Sequence, residues 1–158
     1  MAFVTHVSKE AIHDAKNRRV SVLDVGSYDV NGSVRRIFVD AGCDYLGVDR
    51  VEGPNVGMVM NAHDLTFPDE AFDVVVSCEM LEHDSAFWLS LKEMGRVLKR
   101  GGTLIITARG NGFIYHNAPD YWRFMPESAE LWAELSGTTK TISLGDGQVP
   151  GIFFVGSK

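Results

Sequence analysis

Glu79, Glu82 and His83 of "EMLEH" stand at i, i+3 and i+4, a spacing that puts three side chains on one side of a helix start. Two carboxylates beside an imidazole can take a proton from a hydroxyl. The plainest alternative is that Glu82 and His83 only cap and solvate the helix. His116, in "FIYHNAPDYW", is a second imidazole able to approach the same mouth.

A second set of residues reads as a nucleotide-type ligand site. "VLDVGSYDVNGS" is an apolar run, an acid (Asp24), a glycine turn (Gly26) and a helix start, with amides that would face whatever occupies that helix start. Tyr28 and Val30 stand where such loops carry further glycines. Asp49 follows at about the distance expected of a carboxylate that accepts both ribose hydroxyls. Asp64, in "NAHDLTFPD", could accept from an exocyclic adenine amine. Each acid alone is as readily a turn or cap residue; their order, each after its own strand, makes the pattern.

The elements that must position these residues alternate. "VSVLDVG", "DYLGVD", "VGMVM", "FDVVVSC" and "GGTLIITA" are short apolar strands without polar alternation, as in a sheet covered on both faces. Helices are expected over Ser8–Arg19, over "GSVRRIFVDAG" up to Gly42, and over Ser85–Leu98, with Leu89, Met94, Val97 and Leu98 turned to the core. Right-handed crossovers then build a parallel sheet. "KTISLGDGQVPGIFFVGSK" leaves no room for a helix between two strand-like runs, so it closes one edge as an antiparallel hairpin. The expected fold is α/β: a doubly wound, Rossmann-like seven-stranded sheet, mostly parallel with an antiparallel last strand and helices on both faces. Ligands bind beyond the carboxyl ends of such strands, where the order reverses. The 158 residues make one domain, with residues 1–19 as a helix or lid and 109–127 as an acceptor-side loop.

A formal net charge of −6 argues against nucleic acid, which requires a basic surface. Cys43 and Cys78 have neither paired nor metal-type spacing, so both are expected as free thiols in a reducing compartment. The amino-terminal run lacks the pattern of a signal peptide, and no apolar run reaches the ~18 residues of a membrane span. A cytoplasmic protein is expected.

The chain resembles class I S-adenosylmethionine-dependent methyltransferases over nearly its whole length. "VLDVGS" is similar to their first motif, "YLGVD" to the ribose-binding strand, and "DLTFPDEAFDVVVSCEMLEH" to the adenine-side loop, fourth strand and following helix. "LKEMGRVLKRGGTLIIT" and "HNAPDYWRFMPES" resemble later stretches found in such enzymes. The resemblance implies S-adenosylmethionine as cofactor, S-adenosylhomocysteine as product, and a small-molecule acceptor methylated at oxygen or nitrogen. It implies that Asp24, Gly26, Ser27 and Tyr28 line the methionine part. Asp49 would take the ribose, Arg50 flank the adenine, and His63, Asp64 and Leu65 surround it. Ser77, Cys78 and Glu79 would border the sulfonium. Glu79, His83 and His116 are the candidates to take a proton; the Glu-x-x-Glu-His run is similar to one that holds a divalent cation in certain O-methyltransferases. Tyr115, His116, Tyr121 and Arg123 are candidate acceptor contacts. Tyr121 and Arg123 also read as residues that only pin the loop, Arg123 through Asp120. So little chain lies outside the core that the acceptor site is either open or completed by a second subunit or a partner protein. A cofactor-binding module without turnover and, less favoured, a nicotinamide-dependent oxidoreductase are the alternatives.

Overall fold

The computed structural model describes residues 2–13, 18–30, 32–111, 119–145 and 151–158. Helix α1 spans Ala2–His13, strand β1 Ser21–Val25, α2 Arg35–Val39, β2 Asp44–Asp49, β3 Met58–Val59 and β4 Phe72–Cys78. A 3₁₀ turn over Leu81–His83 leads to α3, Phe87–Val97; β5 is Leu98–Arg109, α4 Ser128–Ser136, β6 Thr139–Gly145 and β7 Gly151–Ser157. The strands form one sheet in the order β3-β2-β1-β4-β5-β7-β6. β1 to β5 run parallel, and β7 lies antiparallel between β5 and β6. The strand order reverses at β1, so its carboxyl end faces the crevice between β1 and β4.

Central strands bury both faces, which is why their sequences do not alternate. Leu23, Val25, Val48, Val75, Leu104 and Ile106 pack under Leu91, Met94 and Val97 of α3 and Trp132 of α4. Val22, Val74, Val76 and Ile105 pack on the other face against Val4, Val7 and Phe38 from α1 and α2. Each such side chain removed from water contributes about 1.5–3 kcal/mol. α3 and α4 approach so closely that a Cβ on Gly95 would stand 2.6 Å from the carbonyl carbon of Ser136.

The helix boundaries differ from expectation in four places. α1 begins at Ala2 instead of Ser8, because Val4, Val7 and Ser8 form its buried stripe, and Arg18 and Arg19, expected as its end, are not helical; residues 14–17 lie outside the described residues. α2 starts only at Arg35. Leu89 is 41% exposed and faces out, because the inward stripe of α3 runs Phe87, Leu91, Met94 and Val97. α4 was not anticipated: its inward face is Ala129, Trp132, Ala133 and Ser136, and Gly137 closes it in the left-handed conformation. No helix among the described residues is long and apolar enough to cross a membrane.

Candidate active site

In-register pairing of β1 with β2, Val25 opposite Val48, sets the Gly26 turn beside Asp49. Gly26 has φ +83°, a conformation open to glycine at little cost, and a Cβ there would stand 2.7 Å from Cβ of Met80. The loop then folds back onto β2. The amides of Gly26 and Ser27 donate to the Val48 carbonyl, that of Tyr28 to Asp49 Oδ2 at 3.2 Å, and that of Asp29 to the Pro54 carbonyl. The expectation that these amides face a ligand at the helix start is therefore corrected: they are spent inside the protein, and the helix begins nine residues after Gly26, at Arg35. Ser27 is buried with its hydroxyl on the Asn55 carbonyl, and the Tyr28 ring lies against Gly53.

Asp49 accepts one backbone amide on each oxygen, Tyr28 N–H on Oδ2 and Val51 N–H on Oδ1. Each oxygen keeps a second acceptor site, so the carboxylate is oriented without being used up. Arg50 is exposed beside it. Asp24 is 4% exposed and accepts the Tyr45 hydroxyl at 2.5 Å. Burial pushes its carboxyl up to about 7, opposed by the Tyr45 hydrogen bond and assisted by the charge of Asp49.

In the loop after β3, Asp64 is exposed, and Leu65 is buried with its amide on Glu93 Oε2. Arg96 of α3 fixes this loop by donating to the carbonyls of Leu65 and Phe67 and pairing with Glu93 and Asp69. The His63 ring meets Asp84 Oδ1 at 2.7 Å, and Asp84 also takes the Ser90 hydroxyl.

At the end of β4, Ser77 is fully buried with its hydroxyl on the Val25 carbonyl, and burial pushes the Cys78 thiol up to about 12. Both cysteines are free. Glu79 has φ +53°, outside any helix, and only Leu81–His83 form a single 3₁₀ turn. The expected i, i+3, i+4 face is therefore absent. Glu79 and Glu82 meet instead on Arg109 at the end of β5, whose Nε stands 3.2 Å from Glu79 Oε2 and 3.4 Å from Glu82 Oε1. Glu82 is 0% exposed, which also corrects the view of it as a solvated cap residue. Burial, reinforced by the charge of Glu79 and only partly offset by Arg109, pushes its carboxyl up to about 8. His83 Nδ1 stands 2.6 Å from the Pro119 carbonyl, so Nδ1 carries the proton and Nε2 the lone pair in the neutral ring.

The segment after β5 hangs from this cluster. The Glu82 carbonyl accepts the amides of Tyr121 and Trp122, the Arg109 carbonyl that of Phe124, and the Asp84 carbonyl the Trp122 indole. Arg123 is held by both oxygens of Asp120, with Nη2 to Oδ2 at 2.6 Å, so the loop-pinning role fits its geometry. Tyr121 is exposed. Tyr115 and His116 lie outside the described residues. Among the described residues no group of three or more His, Cys, Asp or Glu could hold a metal ion.

Tyr45, Met80, Glu93, Arg96 and Arg109 were not singled out as site-forming residues. The Glu93–Arg96 i, i+3 spacing is a readable helix pair. The others depend on which strands become neighbours.

Comparison with known proteins adds three findings. Residues 23–106, more than half of the chain, match the family described as "Methyltransferase domain". An uncharacterized methyltransferase of Mycobacterium leprae is 33% identical over 98 residues, covering 54% of this chain and 36% of its own length, so the chain spans about a third of that relative. Among solved structures, the 1,6-didemethyltoxoflavin-N1-methyltransferase of Burkholderia thailandensis, with 1,6-didemethyltoxoflavin and S-adenosylhomocysteine bound, superposes with TM-score 0.74 at 20% identity, covering 98% of this chain and 78% of its own. A putative methyltransferase of Haloferax volcanii, in complex with the Trm112 methyltransferase activator, superposes with TM-score 0.73 at 17% identity, covering 96% and 88%.

Proposed function

The chain belongs to the methyltransferase-domain family, and from that premise we propose that it transfers a methyl group from S-adenosylmethionine to a small-molecule acceptor, at oxygen or nitrogen. The observation that carries this reading is the side-by-side placement of the Gly26 turn and the amide-oriented Asp49 at the carboxyl ends of paired β1 and β2. The residues present fit the cofactor. Asp49 offers acceptor sites to a diol, buried Asp24 offers negative charge near Gly26, and the loop carrying His63, Asp64 and Leu65 is braced by Arg96. Ser27 and Tyr28 support the turn, and Ser77 and Cys78 support the end of β4. Arg50 is the exposed neighbour of Asp49.

When bound, the cofactor supplies a methyl group already activated on sulfonium sulfur, so alignment and exclusion of water account for much of the acceleration. What is left to the protein is the acceptor's proton. Glu79, at the end of β4 and partly exposed, receives it in this proposal, and His83 Nε2 is the alternative base. Tyr121 is the described ring that lines the acceptor side, with Tyr115, His116 and Arg123 as further candidates. A divalent cation has no support from the described residues and forms no part of the proposal. The nicotinamide alternative is set aside by the family match and the antiparallel β7.

A second reading, a domain that turns over only with a partner or second subunit, draws on the exposure of Trp88, Tyr121, Trp122 and Met125 beside the acceptor segment. The activator bound by the Haloferax neighbour supports it by analogy. One experiment separates these readings. Thermal stability is measured with S-adenosylhomocysteine and with NAD, and release of S-adenosylhomocysteine from S-adenosylmethionine is then followed across pools of metabolite acceptors. Stabilisation by NAD alone refutes the proposal, and binding without transfer to any pool favours the second reading.

A further inference from the structure

Asp24 is a buried carboxyl two residues before Gly26, and the structure gives it one strong partner, the Tyr45 hydroxyl at 2.5 Å. Tyr45 is itself fixed. Its ring stacks on Phe38 at 6.4 Å between centroids, the Arg35 guanidinium lies 5.8 Å from the ring centre, and its own ionisation is pushed well upward by burial and by Asp24. The ionisable groups around Asp24 among the described residues are Tyr45 and Asp49 from β2 and Cys78 from β4, with Arg35 of α2 reaching only as far as the Tyr45 ring. None of these places a cation on the carboxyl. Among the described residues Asp24 thus has a donor but no counter-charge, and is poised to hold a proton.

We propose that Tyr45 is a positioning residue for Asp24, and that the positive charge of the bound cofactor drives the proton off the Asp24 carboxyl, so that cofactor binding and proton release are one event. The inference rests on the cofactor reading above. A cation brought beside a buried carboxyl favours its charged form, and that preference must appear equally as pH-dependent affinity. The Tyr45 hydroxyl donates to the ionised form and sets the pH at which the exchange is centred. The cofactor arrives as a cation and the proton leaves to buffer, so charge balances.

The test is titration calorimetry of the whole chain with S-adenosylmethionine between pH 5.5 and 7, in buffers of different ionisation heat. This range lies below that in which the cofactor's own α-amino group titrates. With the carboxyl at about 7, roughly nine-tenths of a proton leaves per cofactor at pH 6 and about half at pH 7, and affinity falls close to tenfold per unit below that. Asp24→Asn should release no such proton and bind with flat pH dependence. Tyr45→Phe should move the midpoint up by roughly one to two units, because a hydrogen bond to the charged form is lost. A merely structural role for the hydroxyl would instead weaken binding by the same factor at every pH. Measurable binding with no proton release, or Asp24→Asn matching the native profile, overturns the proposal. Absence of binding at any pH removes the cofactor reading itself, and the proposal with it.

Discussion

Replacing Glu82 by Gln tests the buried carboxyl most directly. Gln keeps the shape of the protonated acid and cannot ionise. In the native protein burial lifts Glu82 to about 8 from a usual 4.5, so the folded state keeps a proton that the unfolded chain gives up. The sign follows: stability is full below about 4.5, falls as pH rises toward 8, and levels off beyond. Each pH unit in that window is worth about 1.4 kcal/mol, which sets a ceiling of about 3 kcal/mol between pH 5 and 7.5. Discounted for the neighbouring charges of Glu79 and Arg109, about 2–3 kcal/mol is expected for Glu82. For a chain of this size that is roughly 4–12 °C in melting temperature. Melts followed by circular dichroism at pH 5, 6, 7 and 7.5 should show Glu82→Gln and native protein together at pH 5 and progressively apart above it, the variant being the more stable. Asp24 and the titrating groups away from Glu82 are common to both proteins, so their contributions cancel in the difference. A gap that stays constant with pH would refute the assignment of a proton to Glu82.

On the proposed ribose role, Asp49→Ala should weaken cofactor binding at least tenfold, and it also removes the anchor of the Tyr28 amide; calorimetric affinity equal to native protein would contradict that role. Gly95→Ala should cost about 3 kcal/mol or more in urea unfolding, because its methyl meets α4 backbone. Gly26→Ala should also cost about 3 kcal/mol or more, since a left-handed φ adds to a clash with Met80 Cβ, which moves only with its backbone; a cost below about 1 kcal/mol would show that the turn relaxes. Asp73→Asn should cost about 2 kcal/mol at pH 7. Burial alone would raise Asp73, but hydrogen bonds from Ser21, Arg18 and Lys99 outweigh it and hold the carboxyl well below its usual range. The cost should therefore persist above pH 4 and shrink as pH falls further; a cost unchanged at pH 3 would count against the ion pairs.

The central strands were legible because burial on both faces leaves unbroken apolar runs, and Asp49 because it closes such a run. The hairpin was legible because "GDGQVPG" leaves no room for a crossover. α4 was missed because "PESAELWAELSG" carries a weaker amphipathic signal than α3, and its burial depends on Trp132 meeting Phe124 and Phe154. By spacing alone Glu79, Glu82 and His83 form a helical face, because spacing cannot reveal a left-handed residue at Glu79. The Tyr45–Asp24 and Arg109–Glu82 contacts join residues 21 and 27 positions apart, and only the pairing of strands brings them together.

The segment from Tyr121 to Phe124 owes its course largely to main-chain bonds, three of its amides resting on the carbonyls of Glu82 and Arg109. A path written mostly in backbone constrains the identities of its outward side chains only weakly. Tyr121 can thus be exchanged for many residues while the ribbon beneath it stays where it is. Surface chemistry and foldability are encoded separately there, which gives selection a place to change side chains at little risk to the molecule.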